Sequence, residues 1–186
     1  MFEIEPPRDT AALRRGLGKM QQEINESMAA FSDEAFFEPQ GEHWAPSGHM
    51  RHLAKCIRPL AQAMKLPKMA LRLRFGKSKK GSRSFEEVRE HYQSALKSGE
   101  AQAGGYGPSS KVSDLPPNEW RAQIMRHFDE ASEQLDGAFD SWSDRQLDSI
   151  QVEHPILGAM TVREMLYFTL YHNAHHARRV QERAAG

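Results

Sequence analysis

The stretch TVREMLYFTLYHNAHHARRV, residues 161–180, decides how the chain is read. It opens with Thr161 and Glu164, the Thr-x-x-Glu of a reciprocal capping box. The hydroxyl takes the backbone N–H of the third residue, and the carboxylate returns to the N–H of the first. Val162, Met165, Thr169, His172, His176 and Val180 follow at steps of three and four, one face of a helix. His172 and His176 therefore stand on adjoining turns, with Cβ atoms about 5–6 Å apart. From there two ring nitrogens can converge on one divalent ion at about 2.0–2.1 Å. The competing reading is electrostatic: charged histidine, with Arg178 and Arg179, complements the negative end of the helix dipole.

Nine of the 186 residues are histidine, where roughly four would be unremarkable. At that density an i,i+4 pair arises by chance roughly 0.4 times, so the pair needs support from elsewhere in the chain. The single cysteine allows no internal disulfide, which points to a reducing compartment, the cytoplasm. Lys+Arg and Asp+Glu are 25 each. That balance argues against broad attachment to nucleic acid or an anionic membrane, while leaving room for a local basic patch. No apolar run is long enough for a transmembrane helix. The opening MFEIEPPRDT, acidic and proline-containing, does not read as a signal peptide.

Three further helices carry apolar stripes. Asp9-Thr10 can cap one holding Leu13, Leu17, Met20, Ile24 and Met28, ending near Phe31; residues 36–41 then read as a connection. A second begins near Trp44-Ala45-Pro46-Ser47, since proline in a first turn loses no bond. Met50, Leu53, Ile57, Leu60 and Met64 line it, and Pro59 predicts a kink or an early end. A third starts after Asn118 as cap and holds Trp120, Ile124, Phe128, Ala131, Leu135 and Phe139. Residues 141–149, SWSDRQLDS, look turn-like, and Val152, Pro155 and Ile156 form a short extended stretch before Gly158. Residues 66–117 make a long excursion between helices two and three. It has a basic Gly/Ser-rich loop, a short helix over 85–96, and loops at 101–110 and 115–117. The fold class predicted is all-α: a four-helix bundle forming one domain over residues 1–186.

A third ligand on helix two would raise the weight of the histidine pair. His49 and His52 are both available there. At 100° per residue the apolar stripe centres between Leu53 and Ile57, so phase alone prefers His49.

Taken together, Trp44-Ala45-Pro46-Ser47 leading into His52-Leu53, and His154-Pro155-Ile156-Leu157-Gly158 leading through Thr161 and Glu164 to His172 and His176, resemble the DinB-like superfamily. The resemblance spans roughly residues 9–182, and its motifs are short. It implies a four-helix bundle with a three-histidine metal site: one ligand from the helix after the tryptophan, His52, and two from the last helix, His172 and His176. Gly48 departs from the pattern, since relatives often carry an acidic residue there. That leaves His49 as a local variation, a supporting group or a rival ligand. Three histidines leave one position open, as in catalytic rather than structural zinc sites, and suit Zn, Ni, Fe or Mn. The family's chemistry implies an enzyme acting on a small-molecule substrate. A low-molecular-weight thiol is added or removed, or the substrate is hydrolysed. The rival reading is a non-catalytic module that binds a partner through helix faces and the 66–117 excursion. A homodimer is the expected assembly.

Other residues have plainer readings. Glu164 serves the capping box, and Tyr167 and Tyr171 pack in the core. His175 lies on exposed surface, with the pocket mouth as the alternative. His154 is a loop histidine, with approach to the bundle end as the alternative; Cys56 is a small buried hydrophobe, with a thiol near the metal as the alternative; and Trp44 and Trp120 are core anchors. The basic run 72–83 is a solvated loop, or else an anion clamp over the site.

Overall fold

Residues 4–39, 43–99, 104–108 and 113–184 are described by a computed structural model. The first helix, α1 (Thr10–Ala29), begins where Asp9 accepts the Ala12 N–H at 2.6 Å and buries Leu13, Met20, Ile24 and Met28. The expected connection after it is partly helical. In α2 (Asp33–Phe37) Ser32 caps the first turn, and Phe36 drops fully into the core. Acidic Asp33 and Glu34 suit that N-terminus. Phe37 stacks on Trp120 at 4.5 Å, so Trp120, expected as a core anchor, is a half-buried ring at the edge of the core.

Helix α3 (Pro46–Lys65) starts on its proline as expected but does not stop at Pro59. Leu60, Ala61 and Met64 are buried beyond it, and their burial outweighs one missing backbone bond. The 66–117 excursion holds more order than its composition suggested. It contains α4 (Lys68–Phe75), α5 (Phe85–Lys97) with a Ser84/Glu87 capping box, and a 3-10 turn at Gly104–Tyr106. Expectations for residues 101–103 and 109–110 lie outside the described residues. Helix α6 (Pro117–Ala138) begins ahead of Asn118, because Pro117 supplies the fixed φ of a first helical position; Asn118 sits inside the turn and not at the cap.

The turn-like SWSDRQLDS resolves into a short 3-10 turn and α7 (Asp144–Ser149), which is opened by Ser143 and Gln146 in reciprocal capping bonds. An antiparallel hairpin follows, β1 (Gln151–His154) with β2 (Gly158–Thr161), in register His154 to Gly158. Gly158 at φ 71° takes the left-handed conformation that glycine adopts at little cost. The strand thus formed leads straight into α8 (Val162–Ala184).

The chain is mostly helical, with this one small two-stranded sheet among the described residues. Helix α3 packs along α6 and α8, and α1 packs along α8 and α6, while α5 lies on α8. Their apolar stripes meet in one continuous core. No described helix is long and apolar enough to cross a membrane.

The start of α8 is a polar node within this packing. Glu164, 4% exposed, accepts from Thr161 N at 3.0 Å, while Thr161 Oγ1 accepts from Glu164 N at 3.2 Å, the predicted capping box. The same carboxylate accepts from the Arg83 backbone at 2.6 Å and from its guanidinium at 3.0 and 3.1 Å. The basic run therefore ends by docking on α8. Burying Glu164 without those donors would leave a dry, unpaired charge. Arg83→Ala should lower unfolding free energy by about 3 kcal/mol, because it leaves the Glu164 carboxylate buried without its guanidinium partner. Urea titration checks this; a loss within about 0.5 kcal/mol, the range of an ordinary surface substitution, would contradict a buried carboxylate hub.

Candidate metal centre

Two helices and one turn build the site. The first turns of α3 carry His49, His52 and Cys56, and the middle of α8 carries His172 and His176. All four histidines are buried. The 3-10 turn adds the carbonyl of Tyr106.

Protons decide what these rings can do. His52 Nδ1 lies 2.8 Å from the Tyr106 carbonyl oxygen. A carbonyl only accepts, so Nδ1 carries the proton and a neutral His52 presents a bare lone pair on Nε2. That Nε2 is 3.1 Å from His172 Nε2, and His176 Nε2 is also 3.1 Å from His172 Nε2. One nitrogen with one proton or one lone pair cannot satisfy both neighbours by hydrogen bonding. A cation beside His172 can, since it takes up lone pairs and needs no proton between the rings. With metal–nitrogen bonds of about 2.0–2.1 Å, neighbouring ligand nitrogens stand about 2.9 Å apart at a right angle and about 3.4 Å apart at the tetrahedral angle. The two 3.1 Å separations fall between those limits.

His49 does not enter this nitrogen cluster. Its Nδ1 lies 2.8 Å from His176 Nδ1. When His176 donates there, its Nε2 is left free for a cation, so His49 acts through His176. Cys56, one turn after His52, brings a thiol beside the cluster. Its sulfur lies 3.7 Å from both ring nitrogens of His52. His52, Cys56 and His172 offer donor atoms all within 4.8 Å of one another, a His/Cys/His cluster compatible with a divalent metal. The signal was present: His52 and Cys56 share the i,i+4 spacing of His172 and His176.

Burial keeps the imidazoles neutral. His172 and His176 are held well below the ordinary histidine value, first by burial and then by the neighbouring rings. His52 is lowered by burial, against the Tyr106 bond that favours its charged form. Burial pushes the Cys56 thiol up to about 12, so without a cation it stays protonated. Neutral nitrogens are the form a metal requires.

The cluster opens on a cavity of about 620 Å³ walled in part by Trp44, Tyr92, Phe168 and His175. Trp44 is a site wall, not a core anchor, because its ring lies parallel to His176 at 5.9 Å. Phe168 stacks on His172 at 5.0 Å. His175, expected on exposed surface, meets the edge of Tyr92 at the cavity wall. His154, expected as a loop histidine, is buried and also lines the cavity. Tyr167 and Tyr171 pack in the core as expected, with Tyr171 accepting from Gln93 at 2.8 Å. None of residues 72–83 lines the cavity, which leaves the anion-clamp reading without support.

The sequence profile of the DinB superfamily matches residues 17–180. No curated protein and no solved structure matches the chain.

Depressed histidine values make stability pH-dependent in a fixed direction. Burial holds His154 and His175 at about 4, against about 6.5 in an unfolded chain. As pH falls below about 6.5 the unfolded chain takes up these protons first, so the folded state loses ground until about pH 4. The metal-free protein should therefore show a falling urea midpoint from pH 7 to pH 5. A midpoint that rises over that range would contradict neutral buried rings.

Proposed function

Because the chain belongs to the DinB superfamily, and because two imidazole Nε2 atoms crowd a third that cannot bond to both, we propose that it is a divalent-metal enzyme acting on a small molecule. In this reading His52, His172 and His176 are the ligands, and α1, α3, α6 and α8 are the four-helix bundle of the family. The observation that carries the reading is that His172 Nε2 has two imidazole Nε2 neighbours, each at 3.1 Å. Imidazole ligands suit Zn, Ni, Fe or Mn.

Bound there, a divalent ion supplies a Lewis acid for a substrate oxygen or a coordination position for a thiolate. The chain's own groups do the rest. The Tyr106 carbonyl holds the His52 ring in the tautomer that faces the cluster. His49 does the same for His176. Trp44 and Phe168 cover the imidazoles and keep water from their outer faces. A cavity of about 620 Å³ has the size of a small-molecule site. The reaction class that the family resemblance favours is thiol-dependent transfer with a low-molecular-weight thiol, with hydrolysis as the second class.

The test is elemental analysis of protein purified without an affinity tag, since a His tag adds ligands. Wild type should hold about one divalent ion per chain, and His172→Ala combined with His176→Ala should hold none. Cys56→Ser separates the two donor sets. Retained metal supports three histidines, while lost metal with His176→Ala still loaded would replace the set by His52, Cys56 and His172. Dialysis near pH 4 should strip the ion, because protonated imidazoles cannot ligate. Wild type without metal would leave the non-catalytic module as the better account.

A further inference from the structure

His154 is the last residue of β1, and its side chain turns back on its own hairpin. Nδ1 accepts the backbone N–H of Ile156 at 3.2 Å and of Leu157 at 3.0 Å. With both donors aimed at Nδ1, that nitrogen carries the lone pair and the single proton of the neutral ring sits on Nε2. Charging the ring would require a proton where two N–H groups already point. The tautomer is therefore fixed by backbone that cannot move without opening the turn.

The ring is only 6% exposed, yet it lines the same cavity as the imidazole cluster. Its ring meets Phe168 in an edge-type contact, centroids 4.4 Å apart, and Phe168 stacks in turn on His172 at 5.0 Å. No described residue accepts from Nε2. Nε2 is not sealed in the interior: it faces the cavity, where its N–H is open to an acceptor on whatever molecule occupies that space. We propose that the Nε2–H of His154 is a fixed, neutral hydrogen-bond donor for an acceptor oxygen, carbonyl or carboxylate, of the small molecule that occupies the cavity. Phe168 sets the spacing: the oxygen held by His154 lies one aromatic ring away from the His172 side of the site. A neutral donor binds an oxygen without adding charge to a space already crowded with imidazoles. The inference rests on the reading of the cavity as a small-molecule site, and not on which residues bind the metal.

Two substitutions separate the donor from the turn. In His154→Asn the side-chain oxygen replaces Nδ1 as acceptor for the turn, but nothing reaches the place of Nε2. In His154→Gln the amide nitrogen reaches that place, but the turn loses its acceptor. The ¹⁵N-labelled protein is followed by long-range proton–nitrogen NMR while acetate, acetamide and acetone are added in separate titrations. Wild type should show His154 protonated on Nε2, with that resonance moved by at least one probe. Acetamide or acetone acting alone identifies a carbonyl site, and acetate acting alone a carboxylate site. The responding probe should bind about tenfold more weakly to His154→Asn and about as well to His154→Gln, while only the latter loses stability to urea. A proton on Nδ1, no probe response at Nε2, or unchanged binding in His154→Asn would each overturn the proposal. Metal content is measured on the same samples, so failure of the metal reading registers separately.

Discussion

The constraint on which the site depends is that one imidazole nitrogen has one proton or one lone pair. His172 Nε2 has two nitrogen neighbours at the same 3.1 Å distance, and hydrogen bonding can serve only one of them. The neighbours come from different helices, His52 from α3 and His176 from α8. Bringing them together demands a particular register between those two helices. The surrounding features maintain it: the Tyr106 carbonyl on His52, the His49 ring on His176, and Phe168 and Trp44 against the imidazole faces.

Register on the α8 side is set at the helix start. Glu164 closes the capping box with Thr161 and receives three donors from Arg83. One turn earlier in the chain, the hairpin holds Val152, Met160 and Thr161 against the core. Arg163 adds bonds to Asp144 and Asp148 on α7. Sliding α8 by one turn would break these polar contacts while moving His172 and His176 off the cluster. The polar node and the nitrogen cluster therefore depend on one placement of a single helix.

Much of this was legible in residue spacing. The α8 stripe, its cap and the His172/His176 pair follow from steps of three and four, because those steps are what a helix face is. Position along α3 was harder. Phase preferred His49, whereas His52 carries the bare nitrogen beside His172 and His49 meets the far side of His176. Phase reports which side of a helix faces inward; it does not say which ring nitrogen points where. Family resemblance selected His52 on its distance from Trp44. Cys56 was read first as a small buried hydrophobe, since buried cysteine is ordinarily inert, with a thiol near the metal as the second reading. The short elements were missed for another reason. In α2 and α7 one cap and one buried side chain, Phe36 or Leu147, suffice to hold a turn or two, too short a run for periodicity to show. His154 was read first as a loop residue, with approach to the bundle end as the second reading, since its burial depends on Phe168 arriving from α8.

The cluster joins positions far apart along the chain: His52 and His172 are 120 residues apart. An ion gripping both would tie off most of the polypeptide as a closed loop, a tether that the unfolded chain could keep only at a large loss of freedom. A chain with one cysteine has no covalent means of doing this. Loading the site would therefore act as a removable cross-link, with resistance to unfolding rising and falling with free metal concentration.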